Sequence, residues 1–565
     1  MDPTARTLLL ALLIGAAAGC SGPDPVDDPL PSAGDDTLIE KGVQTCADPA
    51  ARDVQRFDRF TAADARAPGA FLHSSFLEGG GLLVEDLDGD GHIDVLFPGV
   101  TRVLLYWGRP GGAFEDGTAA LDGLPLSNAV GATAVDYDAD GDLDVFVTRW
   151  LQPDTLLRND GGGLTDVTAA AFGSAPPALR SQSASWADVD ADGDLDVFVG
   201  TYGVFTDLEV LQNSADCGDH VADPSVLWRN NGDGTFADAS AALPPEVHQG
   251  YVFMSAWHDL TGDGTPELFT AHDDGRCGPS VLLHNVGGAF SVDTTTEYSS
   301  DNRHDMGMGV ADLNGDALPD FLLTSWNGTT LLQSTQTPDG LAYIDWSASL
   351  GLEPNAIDFE GGQSPGEALP GMQIYGWGAD LGDLDNDADL DAVMLYGYWS
   401  TYDGPGDPLQ QDDGLWRNDN GAFTDVAADW GVADNGVSRG LVLADLNADG
   451  FLDIVKRDLA GDSPVHLSRC GAAAWLTVRL SAPGANTHGI GATVKVTTGG
   501  TTQVRWIHSG SSAMYSGAPL QAHIGLGDVD RVDRLEVVWP DGAISRFDDV
   551  AARQAVTVVR SAAPQ

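Results

Sequence analysis

The chain reads as all-β: a seven-bladed β-propeller followed by a small C-terminal β domain. Three observations carry this. An acidic loop of the form Asp-x-Asp-x-Asp-Gly-x-x-Asp, or a close variant, recurs seven times. Each copy runs straight into an apolar, β-type stretch, as in Asp144-Val-Phe-Val-Thr, Asp196-Val-Phe-Val-Gly and Asp453-Ile-Val. The loops begin 50, 52, 71, 53, 71 and 62 residues apart, so one supersecondary unit is repeated seven times.

The loops place at positions 1, 3, 5 and 9 the residues Asp86, Asp88, Asp90 and Asp94; Asp136, Asp138, Asp140 and Asp144; Asp188, Asp190, Asp192 and Asp196; Asp259, Thr261, Asp263 and Glu267; Asp312, Asn314, Asp316 and Asp320; Asp383, Asp385, Asp387 and Asp391; and Asp445, Asn447, Asp449 and Asp453. Alternate side chains of a tight turn point inward, a glycine at position 6 lets the chain reverse, position 7 offers a carbonyl and the acid at position 9 closes the shell. Six or more oxygens with net negative charge suit Ca²⁺ better than Mg²⁺, which demands a tight octahedron. Cys and His are absent from these positions, which argues against zinc. Up to seven structural Ca²⁺ ions are therefore expected. The loops at 312 and 383 carry Ala317 and Ala388 in place of the glycine and are expected to be weaker or reshaped. The bland alternative is a plain Asx-turn with no ion; against it stands the repulsion of four carboxylates in nine residues. An EF-hand is excluded by the missing Glu at position 12 and by strands, not helices, on either side.

Around each loop the rest of a blade is legible. A strand of small and apolar residues precedes it (Ser185-Trp-Ala, Met308-Gly-Val-Ala, Leu441-Val-Leu-Ala), and a third strand ends in Arg/His-Asn (Leu156–Asn159, Leu227–Asn230, Leu282–Asn285, Leu415–Asn418). A glycine turn then leads to a short fourth strand beginning at Leu164, Phe236 or Phe423. Four strands in each of seven units describe the propeller. The Asn is expected to shape the turn and the Arg to bridge neighbouring blades.

Asp+Glu number 85 against 27 Lys+Arg, a formal charge of −58; seven Ca²⁺ would leave about −44. Repulsion of their phosphates disfavours nucleic acid and anionic lipid headgroups as partners. At the N-terminus, Arg6 precedes an apolar run from Leu8 to Ala18, too short to cross a bilayer and suited to a signal-peptide core. It ends in Ala17-Ala18-Gly19-Cys20-Ser21, which resembles a bacterial lipoprotein signal with Cys20 as the lipidated residue; an ordinary secretory cut near Gly19 is the alternative. The expected organisation is a signal peptide over 1–19, a disordered acidic tether over 20–45, the propeller over 46–470 and the C-terminal domain over 471–565.

The acidic loops and the Arg-Asn-x-Gly-x-Phe-x-Asp-Val segments resemble FG-GAP/VCBS repeats, those of the integrin α-chain propeller. The C-terminal stretch resembles an ASPIC/UnbV domain in Asn486-Thr-His-Gly-Ile-Gly-Ala492, His523-Ile-Gly-Leu-Gly527 and Leu535-Glu-Val-Val-Trp-Pro-Asp-Gly542. Together they are similar in architecture to the cartilage acidic protein 1 family. Inserts around 201–225 and 352–372 depart from that pattern. The last repeat supplies only three strands before residue 470, and Phe57-Asp-Arg-Phe-Thr61 matches the missing fourth-strand motif, so the N-terminal segment is expected to close the ring. Apart from Cys20, four cysteines allow three pairings; Cys46–Cys470, locking the closure, and Cys217–Cys277 are preferred.

No nucleophile elbow, His-Glu-x-x-His, phosphate loop or dinucleotide fingerprint occurs. The one suggestive cluster, Asp301-Asn-Arg-His304-Asp305, is expected to be a solvated insert, and His258 a satisfied structural residue. The function expected is a non-catalytic, surface-tethered, Ca²⁺-binding adhesion or ligand-binding module for an extracellular protein or glycan, touching the membrane only through its lipid anchor. The alternative is an exported hydrolase or lyase with its site at the channel mouth.

Overall fold

The computed structural model describes residues 36–44, 46, 58–61, 80–173, 176–204, 221–273, 278–294, 304–325, 328–337, 340–352, 375–397, 411–434, 436–459, 463–510 and 513–561. Cys20 and its signal segment, Cys217, Cys277 and most of the two inserts lie outside them.

Seven four-stranded antiparallel units follow the repeats in order. Blade 1 is built from Leu83–Glu85, Asp94–Phe97, Leu104–Arg109 and Ala113–Asp116, and blade 2 from Ala129–Val135, Asp144–Gln152, Thr155–Asn159 and Leu164–Asp166. Blades 3 to 6 begin with Leu179–Ala187, Val252–His258, Asp305–Ala311 and Gly376–Gly382. Blades 2 and 3 are further joined by pairing of Leu179 and Arg180 with Gln152 and Trp150. Every acidic loop connects the first strand of its blade to the second. Those two strands are buried almost throughout, whereas fourth strands such as Ala113–Asp116 are largely exposed, so the first strands face the ring axis and the fourth strands its rim.

Blade 7 contributes Ser438–Ala444, Asp453–Asp458 and Pro464–Leu467, and its fourth strand is Asp58–Thr61, paired antiparallel with Pro464–Leu467. The chain closes its ring with its own N-terminal segment, as the repeat count requires, and the Cys46–Cys470 disulfide ties the two ends together.

The expected tether is corrected at its end. Thr37–Glu40 is a strand, paired with Gln554–Val559 at the edge of a C-terminal sheet. Leu38 packs on the core there, and the Asp36 carboxylate accepts from Ser561 N at 2.8 Å. The physical reason is an open sheet edge that gains a full row of backbone hydrogen bonds from any extended segment within reach. The C-terminal domain has two four-stranded sheets. One orders Thr37–Glu40, Gln554–Val559, Ala474–Ser481 and Gln521–Gly527; the other orders Thr501–Trp506, Thr493–Thr498, Arg531–Val538 and Ile544–Ala551.

Between Trp506 and Gln521 the C-terminal domain sends a segment into the ring. Trp186 N of blade 3 donates to Ser509 O at 3.1 Å, Ala513 and Met308 of blade 5 exchange two backbone bonds of 2.7 and 3.1 Å, and Gly517 bonds to Leu82 and Val84 of blade 1 at 2.9 Å each. One segment can pair with blades 1, 3 and 5 only from the axis. Ser509, Ala513, Met514, Tyr515 and Ser516 are all buried there. The Tyr515 ring stacks on Phe253 of blade 4 with centroids 5.4 Å apart. Gly131 of blade 2 makes room for this plug: a Cβ at that position would overlap the Tyr515 carbonyl. Among the described residues no helix is long and apolar enough to cross a membrane.

Candidate metal centres

All seven acidic loops share one geometry. Position 4 (Gly89, Ala139, Ala191, Gly262, Gly315, Asn386, Ala448) and position 6 (Gly91, Gly141, Gly193, Gly264, Ala317, Ala388, Gly450) are left-handed, with φ between 57° and 99°. This double reversal turns backbone N–H groups toward the first carboxylate. In blade 2, Asp136 accepts from Asp140 N at 3.1 Å and Gly141 N at 3.0 Å. The loops with alanine at position 6 keep the same shape: Ala317 N donates to Asp312 at 3.0 Å and Ala388 N to Asp383 at 2.8 Å. The expected reshaping does not occur, because alanine adopts the left-handed conformation at a local cost of about 1–2 kcal/mol.

Position 9 anchors the loop in the blade. Asp94 accepts from Leu87 N and Gly108 N, each at 2.7 Å, and thereby holds the start of the loop against the third strand. Asp144, Asp196, Asp320, Asp391 and Asp453 repeat this pair of contacts, for instance Asp144 with Tyr137 N at 3.1 Å and Asn159 N at 2.8 Å. The position 5 side chain of blade 1 is exposed, and Asp90 Oδ1 accepts from His92 N at 2.9 Å. The carboxylates that converge within 4.8 Å of one another are those of positions 1, 3 and 9 in four loops: Asp86, Asp88 and Asp94; Asp136, Asp138 and Asp144; Asp188, Asp190 and Asp196; Asp383, Asp385 and Asp391. The other three loops offer Thr261, Asn314 or Asn447 at position 3. Asn314 is turned partly away, its Nδ2 donating to Ser334 O at 2.9 Å.

Burial pushes these carboxyls up: Asp94 and Asp196 to about 7, Asp144 to about 8, Asp320 to about 7, with the neighbouring carboxylates adding to the effect. Asp383, Asp391 and Asp453 are raised well above the usual range for the same reason. Asp86 Oδ1, Asp138 Oδ1 and Asp190 Oδ1 have no hydrogen-bond partner among the described residues, nor has Oε1 of Glu267, a side chain 99% removed from solvent. Converging, desolvated carboxylates with spare lone pairs are what a hard, oxygen-seeking divalent cation satisfies, so the residues present fit such an ion. Arginines supply part of the countercharge: Arg109 reaches Asp90 at 3.0 Å and Asp88 at 3.4 Å, and Arg229 reaches Asp190 at 3.1 Å.

Of the roles expected in the Arg-Asn pairs, the turn-shaping one of the asparagine is observed, and the asparagine also bridges neighbouring blades. The arginine pairs with carboxylates of its own blade, Arg229 with Asp190 at 3.1 Å and Arg158 with the adjacent Asp160 at 3.1 Å, while the Arg229 guanidinium also lies against Gly288 in the glycine turn of blade 4. The asparagine crosses between blades. Asn159 Nδ2 donates to Leu87 O in the loop of blade 1 at 2.6 Å while its Oδ1 accepts from Gly162 N at 2.7 Å; Asn285 does the same toward Val189 O at 2.8 Å.

His304 is not solvated: it is buried, and its Nδ1 lies 3.0 Å from Asp273, whose other oxygen accepts from Tyr202 at 2.7 Å. The reason is that the strand beginning at Asp305 starts inside the ring wall. His258 is structural, packing edge-on against Trp506 with centroids 5.1 Å apart, but Nε2 has no hydrogen-bond partner among the described residues, and burial pushes its pKa down to about 3.

The C-terminal domain sits on the acidic-loop face. Thr487 donates to Asp136 Oδ2 at 2.6 Å, Gly527 N donates to Asn386 O at 2.7 Å, and Leu520 N donates to Glu85 at 2.7 Å. Nothing in the spacing of these C-terminal residues signals contact with the loops.

Comparison with known proteins agrees with this layout. The FG-GAP-like repeat model matches residues 86–147, 136–199 and 259–323, and the ASPIC and UnbV model matches 482–565. The chain is an FG-GAP-repeat β-propeller completed by an ASPIC/UnbV domain. It is a relative of cartilage acidic protein 1: it is 25% identical to the Mus musculus protein over 86% of this chain and 74% of that one. With the Homo sapiens protein it shares 23% over 82% and 69%. Among solved structures, an Agrocybe aegerita lectin that recognises non-reducing terminal N-acetylglucosamine superposes at a TM-score of 0.39 and 16% identity, covering 69% of this chain and 94% of that one.

Proposed function

We propose that this protein is an exported, calcium-stabilised, non-catalytic propeller that presents its loops and inserts to an extracellular protein or glycan, held to the cell surface through a lipid on Cys20. The observation that carries the calcium reading is the repeated convergence of carboxylates at positions 1, 3 and 9, with Asp86 Oδ1, Asp138 Oδ1 and Asp190 Oδ1 lacking a hydrogen-bond partner among the described residues. The non-catalytic reading is supported by the axis, where a propeller enzyme would keep its chemistry and where residues 507–510 and 513–520 are packed instead. His304, the one residue singled out for an enzymatic alternative, is engaged with Asp273 inside the wall.

The test is calorimetric titration of chelator-stripped protein with Ca²⁺ and with Mg²⁺. Saturable binding of several Ca²⁺ at Kd of roughly 10⁻⁴ to 10⁻³ M or tighter, with Mg²⁺ much weaker, is expected. Equal, weak binding of both ions would reduce the loops to an unselective acidic surface and end the calcium reading.

A further inference from the structure

We infer that the ion site of blade 6, the one converging triad buried at every position among the described residues, is sealed by the C-terminal domain so that its calcium is the tightest and slowest to leave. This rests on the calcium reading above. Asp383, Asp385 and Asp391 are 1%, 6% and 0% exposed, the one converging triad buried at all three positions. In blades 1 and 3 the first two carboxylates of the triad remain half-buried, and in blade 4 Asp259 is exposed. In blade 2, where Thr487 of the same domain reaches Asp136, Asp138 is half-buried; in blade 7, where Trp475 lies against Gly450, Asp445 is half-buried.

The cover is the strand Gln521–Gly527. Its backbone lies directly on the first ligand: a Cβ at Gly525 would overlap the Asp383 carboxylate and the Asn386 backbone, so only glycine permits this approach. Two contacts seat the loop from the same strand, Gly527 N donating to Asn386 O at 2.7 Å and His523 Nε2 standing 2.9 Å from Asn386 Oδ1. Asn386 is itself fully buried and passes the contact on, its Nδ2 donating to Gly450 O in the loop of blade 7 at 2.9 Å. Only Asp387 to Asp389 keep an edge toward solvent.

Two consequences follow from the physics. Removing water from around the carboxylates strengthens their attraction for a cation, and a loop already pinned at Asn386 loses less freedom on binding. Coupling is reciprocal: if docking of the domain tightens this site, an ion here tightens docking by the same factor.

The experiment loads the full chain with Ca²⁺, mixes it with excess chelator and follows release with a calcium-sensitive dye. One equivalent is expected to leave about tenfold or more slower than the rest, within the usual range of such coupling. Asp385→Asn should remove the slow equivalent, whereas Asp190→Asn should remove a fast one. Gly525→Val, which forces the strand off the loop, should convert slow to fast. If that variant does not fold, His523→Ala, which removes one seat without a clash, should speed the slow phase several-fold. Release of all calcium in one fast phase, or a slow phase that survives Asp385→Asn, overturns this inference and leaves the calcium reading standing. No calcium on the wild-type protein overturns both.

Discussion

Asn159 holds two blades together with one side chain. Its amide donates across the blade boundary to Leu87 O at 2.6 Å and within its own blade to Leu143 O at 2.9 Å, and it is 1% exposed. Asn159→Ala should therefore cost about 1–3 kcal/mol, since buried carbonyls on two blades lose their donor at once; chemical denaturation would measure it. Arg158→Ala, which removes only an exposed pair with Asp160, should leave stability nearly unchanged. The Arg-Asn motif and the asparagine's part in the turn were legible in the sequence; the asparagine's reach across the blade boundary was not, because it depends on where the preceding loop lies. Position 6 was legible as a reversal; position 4 was not, since Gly, Ala and Asn share no obvious signature there. Ala388, at φ 84°, bears the strain a glycine would avoid, so Ala388→Gly should raise stability by up to about 1 kcal/mol.

At the scale of elements, the blades were legible and the plug was not. Alternating apolar runs and Gly turns report strands directly, and a missing fourth strand in blade 7 called for a donor that Asp58–Thr61 supplies. Nothing in the sequence between His508 and His523 marks a plug; only the glycines of the ring, such as Gly131, record that another backbone passes close by. Gly131→Val should consequently behave as a plug mutation, lowering the melting temperature and exposing Tyr515 to solvent, which fluorescence quenching would detect. The Cys46–Cys470 disulfide spans 424 residues and fastens the ring closure. Reducing it, or replacing both cysteines by serine, should cost about 2–5 kcal/mol and leave the N-terminal strand the first site of protease cleavage.

For the whole molecule, ion loops and net charge set the response to pH. Asp94, Asp144, Asp196 and Asp320 are held near 7 to 8 by burial in the ion-free fold, against an ordinary value of 3.8. Between about pH 4 and pH 8 the folded chain keeps protons that the unfolded chain has released, so stability without metal is greatest below that window and falls as pH rises through it. A bound cation favours the carboxylate form and reverses that slope. The most direct measurement is thermal unfolding of the full chain at pH 7.5 in 10 mM Ca²⁺ and in chelator, with bound metal counted on the same samples. A site with Kd about a hundredfold below the free Ca²⁺ adds about 2.7 kcal/mol, so several such sites predict a large rise in melting temperature and a count near seven. An identical melt in both buffers with no metal bound would contradict the account.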